Sequence, residues 1–198
     1  MKNKKSIGLL GGSFNPPHQG HIDMSLHALT AFSLDEVWWL VTPKNPLKNL
    51  DLYKTSYEDR ILACQKIVAE VPISIKNYEE QHKTSYSFEI IDILLHNYPE
   101  HKFIWIMGAD SFLTFHKWKN WKKISKNIVL AIFPRPGYNE NVVFCKAARS
   151  LVKYRCHHND VKTILTRPLP CWTFMETLPQ NPLSSTLLRK QGKELKHI

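Results

Sequence analysis

The sequence predicts an α/β fold in which a doubly wound, mostly parallel sheet carries helices on both faces. Short apolar runs typical of buried strands alternate with segments whose apolar residues recur at helical spacing. Strands joined through helices form βαβ units, so neighbouring strands are expected to be parallel. The length of 198 residues, 43% of them hydrophobic, is enough to bury the core of one globular domain.

The predicted elements follow one another in a regular order. Strands are predicted in SIGLLG (6–11), DEVWWLVTP (35–43), VPISIKN (71–77), KFIWIMG (102–108), NIVLAIF (127–133), KTILT (162–166) and CWTFME (171–176). Helices are predicted in QGHIDMSLHALTAF (19–32), SYEDRILACQKIVAE (56–70), SYSFEIIDILLHNY (85–98) and SSTLLRKQGKELK (184–196). Ser56 and Asp59 open the second helix like a capping box. The stretch 134–160 has the least pattern and is a candidate for a variable insert or a mobile segment.

Charge and cysteine content narrow the class of protein. The formal net charge of +10 favours partners that carry phosphate, but it does not choose between nucleotides, nucleic acid and membranes. No apolar run approaches membrane-spanning length, and nothing resembles a signal peptide. The four cysteines form no CxxC pair, which predicts reduced thiols and a cytoplasmic protein. The sequence Cys156-His157-His158 is interpreted as a polar loop.

The turn after the first strand has the residues of a ligand site. Gly11, Gly12 and Ser13 stand at the carboxyl end of that strand, where open parallel sheets bind ligands. We expect the glycines to allow positive φ and a close approach of the backbone to a ligand. The helix that follows directs free N–H groups and its positive dipole end at the same place, which favours an anion.

Two histidines at the start of that helix strengthen this interpretation. His18 and His21 are three residues apart, so their imidazoles are expected to project together from one face. Both rings can donate hydrogen bonds to phosphate oxygens. Gly20 leaves space between them. One histidine alone would be interpreted as an ordinary polar residue, but the full string GGSFNPPHQGH after a buried strand favours a phosphate site.

This string resembles the nucleotidyltransferase signature of the HxGH class, and most closely that of the bacterial nicotinate-mononucleotide adenylyltransferases. Four further segments resemble that family and come in its order: WWLVTPKNPLK (38–48), TSYSFEII (84–91), FIWIMGADSFLTFHKWKNW (103–121) and PLSSTLLR (182–189). The resemblance implies a Rossmann-like fold. It also implies a single nucleotidyltransferase domain over 1–198, with a phosphate-binding helix from about 184.

The family's reaction is the transfer of an adenylyl group from ATP to nicotinate mononucleotide in NAD biosynthesis, giving deamido-NAD and pyrophosphate. The acceptor's 5′-phosphate is already ionised, so the protein need only position the substrates and neutralise charge. The resemblance implies Mg²⁺ carried mainly by the ATP phosphates. ATP and nicotinate mononucleotide are the expected partners, and neither nucleic acid nor a membrane is expected to be one.

The resemblance also assigns residues. It assigns catalysis to His18, His21 and Arg189. It assigns ATP binding to Gly11, Gly12, Ser13, Phe14, His18, His21, Gly108, Asp110, Ser185, Thr186 and Arg189. It assigns nicotinate mononucleotide binding to Ser13, Lys48, Tyr86, Ser87, Trp118 and Arg135.

Some of these assignments have ordinary structural alternatives. Asp110 is expected to contact the ribose or the magnesium complex, and it could also cap a helix that begins near Ser111. Trp118 is expected to stack on the pyridine ring, although a single tryptophan is more often part of a core. Lys48 could be an ordinary surface lysine. Ser87 stands where the family commonly has threonine.

Three other interpretations compete with this one. A structural protein that has lost catalysis is disfavoured, because His18, His21 and Arg189 are all present. A related nucleotidyltransferase could use another acceptor, which acceptor assays would reveal. An RNA-binding module could use the basic surface, and HKWKNWKK (116–123) is the stretch that fits it. RNA binding that survives high salt without nucleotide turnover would support that alternative.

Overall fold

A six-stranded parallel sheet forms the centre of the computed structural model, which describes residues 4–43, 55–176 and 183–190. The strands are β1 (Ser6–Gly12), β2 (Glu36–Val41), β3 (Ile73–Lys76), β4 (Lys102–Gly108), β5 (Val129–Phe133) and β6 (Trp172–Phe174). They lie in the order β3-β2-β1-β4-β5-β6, and every neighbouring pair is parallel. The chain winds outward from β1 in one direction and from β4 in the other, so the doubly wound prediction is confirmed.

Helices and 3₁₀ turns connect the strands. The α-helices are α1 (Gln19–Phe32), α2 (Tyr57–Ile67), α3 (Tyr78–Gln81), α4 (Ser87–Asn97), α5 (Ala109–Thr114), α6 (Trp121–Asn127), α7 (Lys146–Ser150) and α8 (Ser185–Lys190). Short 3₁₀ helices span Phe115–Lys117, Asn139–Asn141, Val152–Tyr154 and His158–Thr166. Because the switch of direction falls between β1 and β4, a ligand crevice is expected at their carboxyl ends.

The hydrophobic core lies on both faces of the sheet. One apolar cluster contains Leu9, Trp38 and residues of α4 to α7, and the other contains Leu10, Trp39 and residues of α1 and α2. Successive side chains of a strand point to opposite faces, so the adjacent tryptophans of β2 belong to different clusters. The helices therefore cover both faces, as the alternation of strands and helices predicts.

Most predicted elements lie where the sequence places them, and α1 matches 19–32 to the residue. The Ser56 hydroxyl accepts a hydrogen bond from the Asp59 N–H at 3.0 Å, as a capping residue of α2 should. The strand predicted at 162–166 is wrong, because these residues belong to the 3₁₀ helix His158–Thr166. Ile164 is fully buried there. A short apolar run with one inward-facing residue fits a helical turn as well as a strand, so the pattern did not distinguish the two.

The stretch 134–160, a candidate for a variable insert or a mobile segment, contributes Val142, Ala147 and Leu151 to the buried core. The interpretation of Cys156 needs correction. Cys156 is not part of a polar loop: it is buried, and its sulfur lies 2.7 Å from that of Cys171. The described part of the chain has no helix long and apolar enough to cross a membrane.

Candidate active site

The two histidines of the sequence motif come together at the carboxyl end of β1. His18 is the N-cap residue of α1, with extended backbone, and His21 lies in the first turn. Their ring centroids are 3.8 Å apart, and the His18 backbone N–H donates to His21 Nδ1 at 3.2 Å. Because Nδ1 accepts, the neutral His21 ring carries its hydrogen on Nε2, which makes that atom a donor. The predicted pairing of the imidazoles is confirmed.

His18 is held uncharged at neutral pH. Its side chain is buried, and neither ring nitrogen forms a hydrogen bond with another group in the described ranges. Burial and then the positive charge of Arg135 lower the pKa of His18 from 6.5 to about 4, against a smaller opposing effect of Asp23. A phosphate beside His18 would offer hydrogen-bond acceptors to the ring and a negative charge to balance that of Arg135.

An aromatic stack supports the His21 ring. Phe14 stacks on Trp39 with centroids 4.6 Å apart and lies 4.9 Å from the His21 ring. Trp39 is fixed in turn, because its Nε1–H donates to Ser25 Oγ at 2.8 Å. Phe14 was expected to bind ATP, but the whole residue is only 1% exposed. Its ring supports His21 from within the core.

The glycines of the motif have a different role from the one expected. Gly11 and Gly12 lie in extended β1, and the residue with positive φ in this turn is Phe14, at 46°. A Cβ at Gly11 would lie 2.9 Å from a ring carbon of Trp105, and one at Gly12 would lie 3.2 Å from the Phe14 ring. The prediction of positive φ at the glycines is wrong, since close aromatic packing is what excludes a side chain at Gly11.

An acidic and a basic side chain face each other at the ends of β4 and β5. Asp110 Oδ2 lies 4.0 Å from Arg135 Nε. The helix α5 begins at Ala109, with Gly108 as its N-cap, so Asp110 lies in the first turn and is not the cap. Its carboxylate leans over Gly108, where a Cβ would be 2.5 Å from Oδ1. Arg135 is close enough to His18 to lower its pKa, so it belongs to the same electrostatic environment.

The C-terminal helix α8 lies against the turn that follows β1. The Ser185 hydroxyl donates to the Pro16 carbonyl at 2.8 Å, and Arg189 donates to the carbonyl of Asn15. Arg189 Nη2 also donates to Thr186 Oγ1 at 3.2 Å. The structure thus brings Ser185 and Arg189, two of the predicted phosphate ligands, to the histidine turn from 169 and 174 residues away. In this structure Ser185 and Arg189 hold the turn itself.

The residues expected to recognise the pyridine ring lie on two neighbouring segments. Tyr86 is the N-cap of α4, Ser87 begins that helix, and Trp118 packs edge-on against Trp105 with centroids 6.2 Å apart. Lys119 joins the two segments, because its Nζ lies 4.1 Å from the centroid of the Tyr86 ring. No sequence pattern singles out Lys119 from the lysines around it. The predicted ligand Lys48 lies outside the described residues.

Sequence reasoning missed a buried polar cluster beside the histidine turn. Arg60 is 1% exposed, and its guanidinium donates to the carbonyls of Ser13 at 2.6 Å, Thr42 at 2.8 Å and Pro43 at 2.9 Å. The hydroxyl of Thr42 donates to the buried carboxylate of Glu79. The only sequence signal is that Arg60 stands at helical spacing from Tyr57 and Cys64, on the inward side of α2.

Stability should depend on the ionisation of Glu79. Burial raises the pKa of this carboxyl from 4.5 to about 7, against the Thr42 hydrogen bond and the Arg60 charge. The folded state therefore binds this proton more tightly than the unfolded state, and the free energy of unfolding should fall as pH rises from about 4.5 to 7. Over this pH range the free energy of unfolding should fall by about 3 kcal/mol.

Urea denaturation at a series of pH values measures this effect. The variant Glu79→Gln has no carboxyl to titrate at this position. The difference in unfolding free energy between wild type and variant should therefore change between about pH 4.5 and 7. A difference that stays constant with pH would contradict the assignment of the raised pKa to Glu79.

Comparison with known proteins shows the family to which this chain belongs. The model of the cytidylyltransferase-like family matches residues 9–191. The chain therefore belongs to the cytidylyltransferase-like family. It is 42% identical over 184 residues to a probable nicotinate-nucleotide adenylyltransferase of Bradyrhizobium sp. (strain ORS 278), covering 92% of this chain and 94% of that one. It is 37% identical over 187 residues to a protein of the same name from Ruegeria sp. (strain TM1040), covering 94% and 97%. Within its family, the chain belongs with the nicotinate-nucleotide adenylyltransferases.

The fold also resembles that of a solved structure. The structure of Plasmodium falciparum nicotinic acid mononucleotide adenylyltransferase complexed with APC superimposes with a TM-score of 0.67, covering 94% of this chain and 83% of that one. The two sequences are 17% identical. At this identity the likeness shows the fold, and it confirms the Rossmann-like α/β prediction.

Proposed function

We infer that this protein transfers the adenylyl group of ATP to nicotinate mononucleotide, forming deamido-NAD and pyrophosphate in NAD biosynthesis. The observation that carries the inference is the pair of imidazoles at the switch point, with ring centroids 3.8 Å apart. Arg135 and Arg189 approach the same turn from β5 and α8. The identity of 42% to a protein named for this activity supports the same reaction.

The chemistry requires no nucleophile from the protein. An oxygen of the acceptor's 5′-phosphate attacks the α-phosphorus of ATP, and the bond from that phosphorus to the β-phosphate oxygen breaks to release pyrophosphate. Negative charge grows on the leaving oxygens, and donors that are already in position stabilise it. His21 Nε2–H, a ring N–H of neutral His18 and the guanidinium of Arg189 are the groups to which we assign this task.

The remaining assignments are proposals of contact. On the ATP side we assign the backbone of Gly11, Gly12, Ser13 and Phe14, together with Gly108, Asp110, Ser185 and Thr186. On the acceptor side we assign Ser13, Lys48, Tyr86, Ser87, Trp118 and Arg135. Lys119 adds a positive charge beside Tyr86, and this favours the carboxylate of nicotinate over the uncharged amide of nicotinamide.

We propose that Mg²⁺ enters as part of the ATP substrate. Within the described ranges no group of three or more His, Cys, Asp or Glu side chains is placed to hold a metal ion. Phosphate oxygens and water are the usual ligands of Mg²⁺ in such complexes. We further propose one nucleotidyltransferase domain over 1–198, since both apolar clusters pack on one sheet. The cytoplasmic location stays a prediction from the cysteines.

Pyrophosphate release from MgATP tests the assignment of the acceptor. Nicotinate mononucleotide and nicotinamide mononucleotide are supplied separately, and we expect faster release with the acid. Other phosphorylated acceptors, including 4′-phosphopantetheine, complete the comparison. If neither pyridine nucleotide supports release while another acceptor does, the proposed substrate is wrong although the nucleotidyltransferase class stands.

A further inference from the structure

A single buried guanidinium joins two turns at the edge of the candidate site. Arg60 donates to the carbonyl of Ser13, in the turn after β1, and to those of Thr42 and Pro43, directly after β2. The donor–acceptor distances run from 2.6 to 2.9 Å. The two strands are also joined at this point by the sheet, because the Thr42 N–H donates to the carbonyl of Gly12, the last residue of β1, at 2.9 Å. The hydrogen bonds of Arg60 to Ser13 and Pro43 extend this connection beyond the ends of β1 and β2.

We propose that Arg60 is a positioning residue for adenylyl transfer, which fixes the turn after β1 against the end of β2 so that the histidine pair stays aligned with both substrates. The proposal rests on the proposed function. Arg60 is enclosed in the protein and acts through backbone carbonyls, so it is not assigned any contact with a substrate or a reacting atom.

The path from Arg60 to the histidines is short. Ser13, which Arg60 holds, is followed directly by Phe14, whose ring lies 4.9 Å from that of His21. His21 Nδ1 in turn accepts from the N–H of His18. A shift of Ser13 would therefore move the Phe14 ring that supports the His21 imidazole. Because His21 accepts a hydrogen bond from the His18 N–H, the backbone at His18 would be affected as well. Errors of about 1 Å in the placement of reacting groups can lower rates by about 100-fold.

The surroundings of Arg60 fit such a role. A buried positive charge is costly unless it is paired and fully hydrogen-bonded. Here the compensation comes from turns that carry site residues, from the Glu79 carboxylate through Thr42, and from the Tyr57 ring, whose centroid is 5.3 Å from the guanidinium carbon. A residue needed only to fill the core beside α2 would be apolar, as Cys64 is one turn later.

The experiment compares kcat and the two KM values of Arg60→Met, Arg60→Lys and the control Cys64→Ala. Cys64 is fully buried on the same helix, so its truncation weakens the packing of α2 without removing a bond to either turn. At saturating MgATP and nicotinate mononucleotide, we expect kcat to fall about 100-fold in Arg60→Met and less in Arg60→Lys. Cys64→Ala should keep the wild-type kcat per folded molecule. All variants and the wild type are assayed well below their unfolding temperatures.

A second measurement does not depend on the acceptor. The ¹⁵N signals of the His21 imidazole should differ from wild type in Arg60→Met and stay unchanged in Cys64→Ala. If wild type is inactive with both pyridine nucleotides, the proposed function fails while this readout still tests Arg60. The proposal is overturned if His21 is unperturbed in Arg60→Met, or if folded Arg60→Met keeps kcat within threefold of wild type. If Arg60→Met does not fold, Arg60→Lys decides by the same two criteria.

Discussion

Replacing His18 or His21 by alanine is expected to lower the rate of pyrophosphate formation by about 10²- to 10³-fold at saturating substrates, the loss typical of removing one positioned donor. The rings lie together at the N-terminus of α1. Each alanine removes a donor that the protein holds in place before the reaction begins. Since the charge develops in the transition state, the loss should fall mainly on kcat.

The double variant should show that the two rings act together. When residues stabilise one transition state as a unit, the effects of their substitutions on the activation free energy are not additive. The rate of the double variant His18→Ala/His21→Ala should therefore fall by less than the product of the two single fold-reductions. His27→Ala, on the same helix, is the matched control and should keep wild-type rates. Single variants that retain rates within fivefold of wild type would contradict the role of the histidines.

The second large effect is expected for Arg189. Arg189→Ala should lower kcat/KM for MgATP by about 100-fold, because it removes both a permanent charge from the proposed phosphate site and the hydrogen bond from α8 to the Asn15 carbonyl. Arg189→Lys keeps the charge but not the planar fork, so it should fall between wild type and alanine.

The control for this effect lies on the same helix. Leu187 is 39% exposed, so Leu187→Ala should leave kcat/KM unchanged. If Arg189→Lys is as impaired as Arg189→Ala, the hydrogen bond to the turn matters more than the charge. If Arg189→Ala keeps the wild-type kcat/KM for MgATP, the guanidinium on α8 is not part of the ATP site.

The sheet could be predicted because its signal is local. Apolar runs such as those of β1 and β4 alternate with helical periodicity, and a βαβ sequence leaves few topologies. The strand prediction for 162–166 was wrong, because a single inward-facing residue, Ile164, is compatible with both a strand and a 3₁₀ turn. The bounds of α1 could be predicted because apolar residues recur at helical spacing over 19–32.

The histidine pair was predictable for the same reason, since a spacing of three residues at a helix start brings two side chains together. The Arg60 cluster was not, because its partners at Ser13, Thr42 and Glu79 are distant in sequence and meet only in the folded chain. The role of Gly11 was also hidden, since it depends on where the Trp105 ring packs. The local sequence pattern predicts the candidate ligand site, whereas the contacts that hold this site in place depend on the tertiary fold.

The most direct test of the phosphate site is to follow the imidazole ¹⁵N signals of the protein during titration with MgATP and, separately, with nicotinate mononucleotide. We predict that MgATP shifts both His18 and His21 and raises the pKa of His18 above its value of about 4, because bound phosphate favours the charged ring. His27 should not respond. If MgATP binds and neither His18 nor His21 shifts, the histidines do not contact the triphosphate and the central claim is wrong.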